Sequence, residues 1–157
     1  QARAKASIEN PHPVFGIKPA TQDRVFYFDP SYILDKDARL PCGKILHKAG
    51  TKVNPLERMN LSRRLFFIDS RQDVQVSWLK EKLNNPIAKQ EQKEQVEDRV
   101  ILVAGSVFKL QKLLGVEHAD KVYFDQAGEL TTKFGIKASP AVVEQEGFKL
   151  KIEEVSL

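Results

Sequence analysis

The residues able to do chemistry are few and scattered. Cys42 is the only cysteine, so the chain by itself forms neither a disulfide nor a CxxC pair nor a cysteine zinc site. It lies between Pro41 and Gly43, away from any helix start. That setting suits a structural or incidental thiol, with a reactive or intermolecular one as the alternative. His12, His47 and His118 sit among turn and polar residues with no HxH or HExxH spacing and no carboxylate triplet, so surface positions and no metal site are expected. Ser70, Ser106 and Ser139 each lie at expected strand ends, but none sits in a GxSxG elbow. The expectation is a protein with no catalytic residue, no cofactor and no metal.

Charge points the same way. The 157 residues include 25 Lys and Arg against 21 Asp and Glu, a net +4 that is a mixed surface and not a basic stripe. Aromatic residues do not interleave with the basic ones as a stacking platform requires, so nucleic acid is not an expected partner. The longest apolar run, residues 100–104, is far short of the roughly 20 residues of a membrane helix. No membrane span is expected. The sequence opens on Gln1 without an apolar leader, which fits either a processed chain whose signal peptide has been removed or a trimmed one.

The elements can be read from periodicity. Residues 1–10 read as a helix tail or frayed arm, and Pro11, Pro13, Gly16 and Pro19 spread extended geometry after them, giving an arm over 1–24. Val25 to Phe28 reads as a strand ended by Asp29-Pro30, and short apolar pieces broken by Pro41, Gly43, Gly50 and Pro55 suggest a small β-rich subregion over 25–60. From 61 to 157 the pattern is an α/β domain. Leu65 to Ile68 and Val100 to Val103 are unbroken apolar runs, as expected of strands buried on both faces. Between them Asp73 opens a helix with Val74, Trp78, Leu79 and Leu83 inward, and Trp78 is either a core anchor or a partner contact. Lys89 to Arg99 reads as a solvated helix or connector. A helix after Gly105-Ser106, a strand at Val122 to Phe124, a helix from Glu129 to Phe134 capped by Gly135, and a terminal hairpin complete the order β-α-β-α-β-α-loop-β-β. Parallel strands closed by an antiparallel pair fit a three-layer sandwich.

The segment from Val122 through Phe134-Gly135-Ile136 and Ser139-Pro140 to Val143 resembles the last third of the thioredoxin fold. With Phe28-Asp29-Pro30-Ser31, Ala49 to Leu56, Arg64 to Asp69, Val76-Ser77-Trp78 and Lys151 to Glu154, it resembles the TraW family of F-type conjugative transfer systems over roughly residues 11–154. The resemblance implies a thioredoxin-like domain lacking CxxC. Asp69 to Asp73 stands where the thiols would be. It also implies a periplasmic, non-enzymatic component of pilus assembly and mating-pair stabilisation in type IV secretion, working with a TrbC-like protein and other assembly proteins. The alternative is a thioredoxin-like redox or chaperone protein that depends on a partner's thiols.

Two candidate partner-binding sites stand beside plain structural readings, a structural turn at Pro140 and ordinary core for the aromatic trio. Pro140, at the position of the thioredoxin cis-proline, places Lys137, Ala138 and Ser139 at a sheet edge open to strand addition. Phe26, Tyr27 and Phe28, next to the Pro-rich arm, form an aromatic docking surface.

Overall fold

The computed structural model describes residues 12–59, 63–84 and 97–157. In chain order the strands are Lys18–Pro19 (β1), Arg24–Phe28 (β2), Tyr32–Ile33 (β3), Ala38–Arg39 (β4), Ile45–His47 (β5), Lys52–Val53 (β6), Arg63–Asp69 (β7), Glu97–Ala104 (β8), Val122–Phe124 (β9), Ala138–Ser139 (β10), Ala141–Glu146 (β11) and Lys149–Glu154 (β12). The α-helices are Asp73–Asn84 (α1), Val107–Leu114 (α2) and Glu129–Phe134 (α3).

The two apolar runs form the centre. β7 and β8 pair in parallel, β9 adds in parallel outside β8, and β11 pairs antiparallel with β7. β12 and then β2 continue antiparallel, giving a six-stranded sheet in the order β2-β12-β11-β7-β8-β9. Side chains alternate across a strand, so each run feeds two cores. On one face Phe66, Ile68, Val100, Leu102 and Val122 pack under Val76, Leu79 and Leu83 of α1 and Leu110 of α2. On the other, Phe67, Ile101, Val103, Ala141, Val143, Leu150 and Ile152 pack against Phe134, with Val14, Ile17, Phe26, Phe28 and Leu130 partly buried around them. Helices on both faces of a mixed sheet make the expected layered α/β architecture.

Several details differ from the sequence expectation. Val74 points outward, while Gln75 and Val76 are buried, because α1 is rotated so that Gln75 can serve the end of β7. Trp78 packs its edge on Phe66, with ring centroids 5.7 Å apart, at the margin of the first core. Residues 25–28 belong to the main sheet and not to the small subregion, which is reduced to the two-stranded pairings β3-β6 and β4-β5. Glu97 to Arg99 are not a connector but the start of β8, where Asp98 pairs with Arg64 in register at 2.9 Å. His118 is buried and its ring contacts Asn84 Oδ1 at 3.2 Å, so it is not the surface residue expected. The expected helix tail at 1–10 and residues 89–96 of the expected connector lie outside the described residues.

Candidate protein-interaction site

The turn from β7 into α1 is closed by its own hydrogen bonds. Asp69 ends β7 with its carboxylate buried, accepting from the Arg71 backbone N–H at 3.0 Å and from both Nε and Nη2 of the Arg71 side chain at 3.0 and 2.9 Å. That pairing raises the Arg71 guanidinium above its ordinary pKa. The buried amide of Gln75 accepts from the Asp69 N–H at 2.8 Å and donates to the Ser139 carbonyl at 3.3 Å, tying the start of α1 to the loop before Pro140. Gly105 makes this corner tight, since a Cβ there would collide with Ser70 Oγ. Cys42 is exposed in the distant β4-β5 region.

The Ser139-Pro140 bond is cis, as the sequence position suggested. The edge beside it is not open. β1 runs parallel to β10, with Lys18 opposite Ala138 and Pro19 opposite Ser139. The Lys18 N–H donates to the Lys137 carbonyl at 3.3 Å and the Ala20 N–H to the Ser139 carbonyl at 2.8 Å. The chain's own arm therefore fills the groove expected for a partner strand. Val14 anchors that arm, donating its N–H to the Val103 carbonyl at 2.7 Å.

One carboxylate locks the whole margin. Glu154 is buried, and it accepts from Arg24 Nε at 2.6 Å and Nη2 at 2.9 Å, and from the backbone N–H groups of Lys137 and Ala138 at 2.8 and 3.1 Å. Burial alone pushes the Glu154 carboxyl up, but the hydrogen bonds and the charge of Arg24 outweigh it, so the group titrates below its ordinary range. Neither Glu154 nor Gln75 was among the expected site residues. A signal for Glu154 existed: it shares strand parity with buried Leu150 and Ile152, so an inward carboxylate demanded a cation.

The aromatic trio divides by the same parity. Phe26 and Phe28 face the second core; Arg24 lies over the Phe26 ring at 4.3 Å, and Phe28 meets Phe134 edge-on at 5.4 Å. Tyr27 faces outward at 51% exposure with Val25 beside it, its hydroxyl donating to Glu146 Oε2 at 3.2 Å. No described strand pairs with the outer side of β2. Of the expected docking residues, only Tyr27 and Lys137 are exposed, and Tyr27 lies on an edge whose backbone can accept another strand.

Comparison with known proteins bears on what this surface serves. The chain is 34% identical over 116 residues to protein TraW of Escherichia coli (strain K12), a match that takes in 74% of this chain. The chain belongs to the TraW family. It spans about half of that TraW protein, 49% of its length. No protein-family model matches the chain, and no solved structure matches it significantly. Among the described residues no helix is long and apolar enough to cross a membrane, and no group of His, Cys, Asp and Glu is arranged to hold a metal ion.

Proposed function

We propose that this TraW-family chain is a non-catalytic, periplasmic protein-interaction component of an F-type type IV secretion system, serving conjugative pilus assembly and mating-pair stabilisation beside a TrbC-like protein. The observation that carries the reading is the outer edge of β2, which no described strand pairs, with Tyr27 and Val25 outward, in a member of the TraW family. We read the scaffold as thioredoxin-like: three parallel strands and an antiparallel pair are arranged around a helix that starts after the central strand, and a cis-proline precedes β11. The Asp69–Arg71–Gln75 network stands at the thiol position, which supports a binding role over the redox alternative.

Strand addition at β2 uses backbone groups for affinity and Tyr27 for selectivity. A partner strand that reached Lys137, Ala138, Ser139 and Pro140 would first have to displace β1, so β2 is the more accessible of the two expected contacts. Calorimetry of the chain with the TrbC-like protein of its own transfer system tests the reading. Saturable binding that weakens about tenfold or more in Tyr27→Ala, a loss of about 1.4 kcal/mol, is expected. Unchanged affinity in that variant, or disulfide reduction by the isolated chain, would overturn it.

A further inference from the structure

α2 is seated more shallowly than the other helices that cover the sheet. Ser106 caps it, its Oγ accepting from the Lys109 N–H at 3.3 Å, and Gly115 ends it by donating its N–H to the Gln111 carbonyl. Only Leu110 is fully buried, with Val107 and Leu114 partly so. The remaining apolar side chains face solvent: Phe108 is 50% exposed, Leu113 53%, and Val116 just past the end 96%. At 3.6 residues per turn, Phe108, Lys112, Lys109 and Leu113 succeed one another around the outer arc. Lys109 and Lys112 form no ion pair among the described residues.

The helix is also a ridge between two clefts. One of about 460 Å³ lies on the Leu113 side, between α2 and the loop at Ser70-Arg71, and brings Arg71 to the same margin. The other, about 390 Å³, lies on the Phe108 side and is walled by Val116 and Ala119. Each cleft sets an exposed apolar side chain beside a lysine, Leu113 with Lys109 in the first, next to Ser70, Arg71 and Ser106, and Phe108 and Val116 with Lys112 in the second, which is the complement of a segment carrying apolar anchors and carboxylates.

We infer that the outer face of α2 docks an acidic amphipathic helix of a partner protein, whose apolar side chains fill the two clefts and whose carboxylates meet Lys109 and Lys112. This surface lies on the helix-covered parallel half of the sheet, remote in strand order from β2, so it gives the chain a second contact independent of the first.

The test is an NMR titration of the full chain with two synthetic amphipathic helices of identical leucine spacing, one carrying Glu and the other Lys at its polar positions. The Glu helix is expected to give saturable shifts in the amides of residues 107–116, an affinity that falls with added salt, and a loss of about tenfold or more in Lys109→Glu/Lys112→Glu and in Val116→Asp. Because these side chains are exposed, the variants should melt as the parent does, which separates lost docking from lost fold. No shifts, equal binding of the Lys helix, or undiminished binding in the variants would overturn the inference. A concentration-dependent dimer abolished by Val116→Asp would assign the face to a second copy, and binding to phosphatidylglycerol vesicles abolished by the lysine reversals would assign it to lipid; either also overturns it.

Discussion

β7 and β8 bury side chains on both faces beneath helices and the arm, whereas β12 and β2 bury one face and leave Tyr27, Val25 and Lys149 in contact with solvent. The first pair is held by apolar contact in two cores. The second pair sits at a margin where a single ion pair, Arg24 with Glu154, joins β2, β12 and the loop before Pro140. The parallel half resists change through volume on both faces, the antiparallel margin through volume on one face, where Leu150 and Ile152 join the second core, and through the satisfied polar groups around Glu154. Both halves end in an edge strand with no described strand outside it, β9 and β2, and β2 offers the longer one, five residues against three.

The largest effect should come from the parallel half. Phe67 is fully buried and meets Phe134 at 6.4 Å, so Phe67→Ala should cost about 3–5 kcal/mol through lost transfer energy and an unfilled cavity. Denaturant unfolding measures it, as a lower midpoint with unchanged slope. A loss below about 1 kcal/mol would mean that Phe67 and Phe134 do not hold the second core together.

Glu154→Ala should cost about 2–3 kcal/mol. It strands the Lys137 and Ala138 N–H groups, but the Arg24 side chain is 43% exposed and regains water, which holds the cost below that of the core change. The acid limb of stability should carry the same signature. The folded Glu154 carboxyl lies below its unfolded value, so its contribution is complete above the unfolded pKa and is lost as pH falls through the folded one. Stability measured from neutral pH downward should therefore drop more steeply in the parent than in Glu154→Gln, and the two curves should converge in acid. Parallel curves would remove Glu154 from the account of the margin.

The contrast between the halves also decides what could be read from sequence. Unbroken runs such as Leu65 to Ile68 announce strands buried on both faces, and α3 with its Gly135 cap falls where local signals place it. Charge misled at Glu97 to Arg99: charged residues at the start of a strand look like a connector until the register sets Asp98 against Arg64. Long-range pairing was the harder loss. Lys18-Pro19 has no strand pattern of its own and becomes β1 only because β10 is there, about 120 residues away in the chain. Arg24 and Glu154 are similarly remote, so the parity of Glu154 could ask for a cation without naming it.

The smallest expected change in stability is the one that bears most on function. Tyr27→Ala removes a half-exposed ring and one hydroxyl donation to exposed Glu146, so unfolding should move by no more than about 0.5 kcal/mol. Phe26→Ala on the same strand should cost several times that, since its ring faces the second core and carries the Arg24 guanidinium. Paired melts of the two variants thus separate the faces of β2, and any partner affinity lost in Tyr27→Ala cannot be blamed on unfolding. If Tyr27→Ala destabilised the chain as much as Phe26→Ala, the outer side of β2 would belong to the fold of the chain itself, and the contrast between strands buried on both faces and strands buried on one would fail at the strand on which it depends.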